Sequence, residues 1–220
     1  MPTDISTDLA GEQVVLLPER ALFWPRRQLL IAADLHWGKA ASFREAGLPV
    51  PEGSTAHDLE RLDRALSRTG ARELALLGDL LHARAGRTDA LLAQIAAWRA
   101  RWPDLAITLV RGNHDRRAGD PPAEWAFASV SEPLVATPFV LCHHPQESPD
   151  GYVLAGHLHP AVRLRGAGRQ RLRLSCFWFG ARAGVLPAFG GFTGSATVGP
   201  APGDRVFALA DGAVVPVGGS

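Results

Sequence analysis

The chain has 220 residues, 46% of them apolar, and its 23 basic and 22 acidic side chains leave a formal net charge of +1. This is enough apolar material for a sizeable core, expected as one domain over residues 1–220, and the charge is too balanced for a general nucleic-acid coat. The start "MPTDISTDLAGE" has neither a basic nor an apolar region, no apolar stretch approaches the roughly 20 residues that span a bilayer, and two cysteines make no disulfide framework, so a cytoplasmic protein without a membrane segment is expected.

In chain order, "LLIAADLH" (29–36) reads as a strand ending in Asp34 and His36. The next segment, "HWGKAASFREAGLPVPEG", places Trp37, Lys39 and Arg44 where they could flank that pair, and Lys39 is the only lysine in the chain. "STAHDLERLDRALSRTG" (54–70) predicts a helix with Ser54 or Thr55 as cap, Leu59, Leu62 and Leu66 on one face, and Gly70 as the stop. His57 falls on its polar face. "LALLGDLLH" (74–82) is a second strand, ending in Asp79 with His82 beyond it. "TDALLAQIAAWRARWP" (88–103) is a second helix, capped by Thr88, striped by Leu91, Leu92, Ile95 and Trp98, and terminated by Pro103. "ITLVRGNHD" (107–115) is a third strand, ending in Asn113, His114 and Asp115 with Arg116 and Arg117 behind.

Strand, helix, strand, helix, strand predicts a parallel core with right-handed crossovers and a site beyond the carboxyl ends of the strands. After residue 130 the helical signals fade. Strands are expected at 134–141, 152–155, 162–174, 206–209 and 213–217, with Asp211-Gly212 as a hairpin turn, giving a mainly antiparallel sheet packed on the first. Within 162–174, a hairpin turning at Gly166-Ala-Gly168 alternates Arg163, Arg165, Arg169, Arg171 and Arg173 with Val162, Leu164, Leu172 and Leu174, a solvated face opposite a buried one. "CFWF" (176–179), an apolar run, is expected in the core, as is Cys142.

Two further apolar runs end in the same chemistry, "FVLCHHP" (139–145) in His143 and His144 and "YVLAGHLH" (152–159) in His157 and His159. In "DLH" and "HLH" an extended backbone aims both polar side chains to one face, whereas the adjacent His143 and His144 point to opposite faces. Carboxylate, amide oxygen and imidazole without thiolate suit Mn²⁺, Fe or Zn²⁺ in a catalytic site better than a structural zinc site. Five such clusters, all at strand ends, point to metal-dependent chemistry.

The set "DLH", "GDLLH", "GNHD", "HHP" and "GHLH" resembles the calcineurin-like metallophosphoesterases, whose pattern is D-x-H, G-D-x-x-H/D, G-N-H-D/E, H and G-H-x-H. The resemblance implies an α/β fold, a two-sheet α/β/β/α sandwich, with one metal held by Asp34, His36 and His159, a second by Asn113, His143 and His157, and Asp79 bridging them. It makes His143 the ligand and leaves His144 facing away. His114 resembles the residue that contacts the phosphate and assists the leaving oxygen, with Asp115 orienting its ring, and His82 falls at a variable position that can line the cleft. The reaction class is phosphate-ester hydrolysis, in which two ions can share and acidify a hydroxide.

A narrower resemblance runs along nearly the whole chain, through "ERALFWP", "DLHWGKAASFREAGLPVPEG", "VRGNHDRRAGDPP", "GYVLAGHLHPAVRL", "CFWFGARAGVLPAFGGFTG" and "PGDRVFAL", to the bacterial ligase-associated DNA damage response endonuclease (PdeM) family. It implies a phosphodiesterase or endonuclease supported by Mn²⁺, acting on DNA, in the company of an ATP-dependent DNA ligase, a helicase and a nuclease. His82, Lys39, Arg116 and Arg117 are the candidate substrate contacts. The alternatives are an enzyme for cyclic nucleotides or other small phosphodiesters, and a non-catalytic interaction scaffold on the same fold.

Overall fold

The computed structural model describes residues 3–51, 53–165 and 171–218. The elements are β1 (Ile5–Leu9), β2 (Glu12–Leu17), β3 (Ala21–Trp24), β4 (Leu29–Ala33), α1 (Lys39–Glu45), α2 (Ser54–Thr69), β5 (Glu73–Leu77), α3 (Asp89–Ala100), β6 (Ala106–Val110), α4 (Asp115–Ala118) and β7 (Phe127–Val130). They continue as β8 (Leu134–Ala136), β9 (Phe139–Leu141), β10 (Tyr152–Ala155), β11 (Pro160–Arg165), β12 (Arg171–Phe179), β13 (Ala183–Val185), β14 (Ala196–Thr197), β15 (Arg205–Ala210) and β16 (Ala213–Val217).

The first sheet runs β1-β2-β3-β4-β5-β6-β7, antiparallel through β4 and parallel from β4 to β7. The second runs β14-β11-β12-β13-β10-β9-β8, with β15 on β12 and β16 on β15. Most of its pairings are antiparallel, but β10 lies parallel to both β9 and β13. That departure from the antiparallel expectation puts the carboxyl ends of β9 and β10 side by side.

The sheets meet face to face over Leu22, Trp24, Ile31 and Leu77 from the first and Phe139, Leu154, Phe177 and Phe207 from the second. On the other face of the first sheet, α2 and α3 bury Leu59, Leu62, Leu66, Ile95 and Trp98. Each fully buried leucine contributes on the order of 2 kcal/mol, so α2 is held by this contact more than by its propensity. The two-sheet α/β sandwich is thus as expected, and among the described residues no helix follows residue 125, so the helices lie in the first-sheet half. No described helix is long and apolar enough to cross a membrane.

The cap of α2 is Gly53, with no side-chain cap, in place of Ser54 or Thr55, while Gly70 ends the helix in the left-handed region with its N–H on Leu66 O at 2.9 Å. Thr88 caps α3, accepting the Leu91 N–H at 3.3 Å. Asp211 and Gly212 both take positive φ, 47° and 75°, as a tight hairpin turn demands. The stretch 134–141 is two strands, β8 and β9, paired antiparallel. The strands β1 to β3, β7, β13 and β14 and the helices α1 and α4 had no counterpart among the expected elements.

β11 and β12 pair as a hairpin, and its turn at Gly166-Ala-Gly168, with Arg169, lies outside the described residues. Arg163, Arg171 and Arg173 are solvated, but the opposite face is only partly covered: Val162 is buried, whereas Leu172 is 58% exposed. Leu172 pairs with Leu164 close to the end of the described hairpin. Cys176, Phe177 and Phe179 are buried as expected, and so is Cys142.

Candidate metal centre

All five polar clusters converge at the carboxyl ends of β4, β5, β6, β9 and β10, but not through extended backbone. Asp34, His36, Asp79, His157 and His159 all have positive φ, between 49° and 69°. Such left-handed residues cost of order 1–3 kcal/mol each and persist where the surroundings over-determine them. Here the surroundings are visible. The Asp34 N–H donates to Gly78 O at 3.2 Å, and His36 and Trp37 donate to Asp79 O and Leu80 O, both at 2.8 Å. The loops after β4 and β5 therefore keep bonding to each other past the sheet edge, and the alternation of the ligand pairs is set by that irregular ladder.

The motif glycines are fitted against neighbouring motifs. A Cβ on Gly78 would lie 2.2 Å from His143 Nδ1, one on Gly112 would lie 2.4 Å from Asp79 Oδ1, and one on Gly156 would lie 2.6 Å from Asp34 Oδ2. Each glycine is needed because the next ligand occupies the place of its side chain.

Both aspartates are buried and each is held by one oxygen. Asp34 Oδ2 accepts the His157 N–H at 2.8 Å and Asp79 Oδ1 accepts the His114 N–H at 2.9 Å. Asp34 Oδ1 is buried with no hydrogen-bond donor and stands 3.4 Å from His159 Nε2. An isolated buried carboxylate oxygen is costly, and a cation is the partner that would relieve it. His36 Nε2 lies 3.4 Å from His159 Nε2 and 3.7 Å from Asp79 Oδ2. On the other side, His143 Nε2 lies 3.0 Å from Asn113 Oδ1, 3.1 Å from His157 Nδ1 and 3.5 Å from Asp79 Oδ1.

Donor atoms about 2.1 Å from a common ion and at right angles lie about 3 Å apart, so these separations fit divalent ions. The ring orientations fit too. His143 Nδ1 donates to Leu77 O and His159 Nδ1 to Gly194 O, both at 3.0 Å, leaving each Nε2 lone pair turned to the cluster. Burial first, then the neighbouring His159, His114, Lys39 and His82, pushes the His36 pKa down to about 2, so this imidazole stays neutral and able to ligate.

His114 and His82 stack with ring centroids 4.8 Å apart, and His36, His82 and His114 form one group of converging ring nitrogens. Burial first, then His114 and Lys39, lowers the His82 pKa to about 4. His82 thus lines the centre. The expected role of Asp115 is corrected: its carboxylate takes the backbone N–H groups of Asp79, Leu80, Leu81 and Gly112, and the ring of His114 is held instead by His82 O, 2.7 Å from Nδ1. Asp115 sits three residues from Gly112 in a turn that closes on β5, where a short acceptor chain meets amides before it can reach a ring.

His144 is corrected as well. It does not face away, because the backbone at 143–144 is bent, not extended. Its ring lies 4.5 Å from that of His157, and Glu132 Oε1 holds its Nδ1 at 2.7 Å. Glu132 Oε2 also takes the N–H groups of His143 and His144, at 2.8 and 2.9 Å. Nothing in the spacing of the sequence links Glu132 to this pair, since it comes from the turn before β8. Lys39 opens α1 beside His82, whereas Arg116 and Arg117 are exposed on α4, Arg116 reaching Glu132 Oε1 at 3.9 Å. Arg44 is on the surface against Val50 O and Pro51 O, and His57 is exposed.

No protein-family model and no curated protein matches the chain. Among solved structures, the Pseudomonas putida nuclease MPE matches at 43% identity and a TM-score of 0.86, over 98% of this chain and 100% of that one. The phosphoesterase Yfce from E. coli matches at 16% identity and a TM-score of 0.40, over 83% of this chain and 88% of that one, a likeness too slight to carry an inference. With the five motifs, which resemble those of the calcineurin-like metallophosphoesterases, brought to one centre and a relative of this identity along its whole length, the chain belongs to the family of the Pseudomonas putida nuclease MPE.

Proposed function

We propose that the chain, as one domain over residues 1–220, is a dinuclear metal-dependent phosphodiesterase that acts as an endonuclease on DNA. The observation that supports it most is Asp79, whose Oδ2 faces His36 at 3.7 Å while its Oδ1 faces His143 at 3.5 Å. One carboxylate between two imidazole groups is what a bridge between two ions requires. Asp34, His36 and His159 would hold one ion, and Asn113, His143 and His157 would hold the other. The thiol-free donor set favours Mn²⁺, with Zn²⁺ or Fe as alternatives.

The two ions, when bound, supply Lewis acidity to the phosphate and acidify the attacking water. With only Asp34 and Asp79 as carboxylates, the centre would stay cationic once loaded and would attract a phosphodiester. His114, its Nδ1 on His82 O and its side chain 31% exposed, has its Nε2 3.9 Å from Asp79 Oδ2, at the centre, and delivers a proton to the leaving oxygen. His82 and Lys39 contact the substrate beside it, with Arg116 and Arg117 further out. The complete donor set speaks against a scaffold that has lost its chemistry. The nuclease activity of the Pseudomonas putida relative supports a nucleic-acid substrate, and the motif resemblance supports a repair setting with a ligase, a helicase and a nuclease, in the cytoplasm.

The test is hydrolysis of a bis-aryl phosphodiester against the corresponding monoester with Mn²⁺, Zn²⁺ and Mg²⁺, followed by single- and double-stranded DNA. Diester turnover with Mn²⁺ and DNA cleavage are expected. Turnover of the monoester alone would overturn the reading.

A further inference from the structure

The chain has nine phenylalanines, and Phe192 is the one that is exposed, at 37%. It stands at the edge of the metal centre. Its ring meets Phe43 of α1 edge to face at 5.6 Å, and Phe43 in turn meets His82 at 6.0 Å. Lys39 Nζ lies 5.8 Å from the centroid of each phenylalanine, and it is the sole lysine of a chain whose other basic side chains are arginines. An aromatic strip with an ammonium group therefore leads out of the centre on the side of His82.

The loop that carries Phe192 is fastened to the centre itself. The Gly190 N–H donates to Asp34 O at 3.1 Å, the Gly191 N–H to Asp58 Oδ1 at 2.9 Å, and Gly194 O accepts from His159 Nδ1 at 3.0 Å. Both ends of the loop are thus tied to residues proposed to hold the same ion. A side chain whose only task is packing has no need to be exposed on a loop anchored in this way. A flat exposed ring beside a cationic phosphate site, with a further cation next to it, matches the chemistry that receives one nucleotide: base on the ring, phosphate on the ions.

We infer that Phe192, backed by Phe43 and Lys39, is a stacking subsite for the nucleobase next to the scissile phosphate, so that the substrate strand must present an unpaired base there. This rests on the endonuclease reading for its ligand, and it adds the residues that select the substrate.

The test is equilibrium binding of a short single-stranded oligonucleotide to the full chain with Ca²⁺, alongside a set in which each nucleotide in turn is abasic, with cleavage by Mn²⁺ followed in parallel. One abasic position should weaken binding to the parent about tenfold, the order of a single base–aromatic stack. Phe192→Leu should bind the intact strand as weakly as the parent binds that abasic strand, with the distinction lost, and Phe192→Trp should restore it. Equal binding of intact and abasic strands by the parent, no binding at all, or discrimination retained in Phe192→Leu would overturn the subsite. Discrimination by stacking without any DNA cleavage would sink the endonuclease reading and leave the subsite standing, whereas cleavage without discrimination would do the reverse.

Discussion

Asp115 Oδ2 accepts the backbone N–H of Asp79 at 2.7 Å, so the residue at the start of α4 sets the position of the carboxylate at the end of β5. The same side chain also takes the Gly112 N–H at 2.8 Å and the Leu80 N–H at 2.9 Å. It is a brace between two ligand loops and touches no reacting group. Asp115→Ala leaves these buried amides without acceptors, at about 1–3 kcal/mol for each group that water cannot reach. We expect a lower Tm and a weaker Mn²⁺ affinity together. An unchanged Tm with lost activity would instead place Asp115 in the chemistry.

Gly112→Ala tests the close fit of the motifs. The added Cβ would meet Asp79 Oδ1 at 2.4 Å, Asp79 N at 2.8 Å and His143 Cε1 at 2.9 Å, all held atoms. The variant should fold but bind metal poorly, with activity down by two orders of magnitude or more, since a displacement of about 1 Å can cost about 10²-fold. Gly199→Ala, where a Cβ meets nothing within 4 Å, should be indistinguishable from the parent. Normal metal content in Gly112→Ala, measured by elemental analysis, would show that the centre tolerates a shift of Asp79.

His114→Ala removes a ring but keeps the backbone N–H that holds Asp79 Oδ1 at 2.9 Å. Metal content should therefore stay near two ions per chain, as proposed for the parent, while DNA cleavage falls by about 10² to 10⁴. A diester with a nitrophenolate leaving group needs no proton and should lose far less. Equal losses on both substrates would take the proton-donor role away from His114.

Much of this centre was legible in the sequence because its donors are local to strand ends, and strand ends are marked by apolar runs that stop at a polar residue. The parallel core followed from the helices at 54–70 and 88–103, whose caps and stripes are strong signals. The strands β1 to β3 were not legible. β1, "ISTDL", is mostly polar, and "EQVVLLPERALFW" offers apolar runs without clean alternation, since β3 is buried at three of its four positions. The ligand backbone was misread for a physical reason. A two-residue spacing gives same-face side chains in an extended strand, but here left-handed residues give that result through bonds to a neighbouring loop. The braces Glu132 and Gly194 depend on contacts across the fold, and no spacing announces them, whereas Asp115 is marked by its motif but its bonds to the amides after β5 are not.

His143 and His144 make the sharpest comparison, because two adjacent imidazoles meet the centre in different ways. His143 is fully buried, its Nε2 at 3.0 Å from Asn113 Oδ1, so His143→Ala should lose metal and activity together. His144 is held at Nδ1 by Glu132 Oε1 at 2.7 Å and lies against the ring of His157, so it supports the ligand segment from its open side. Glu132 also grips the two backbone N–H groups, and those bonds survive the loss of the His144 ring. His144→Ala should therefore keep both ions and lose modestly, on the order of the 10- to 100-fold typical of a partner behind a ligand. Glu132→Gln should cost at least as much, because it weakens three bonds at once. Metal lost from His144→Ala but kept in His143→Ala would show that the second imidazole is the ligand and that the bend at 143–144 turns the other way in solution.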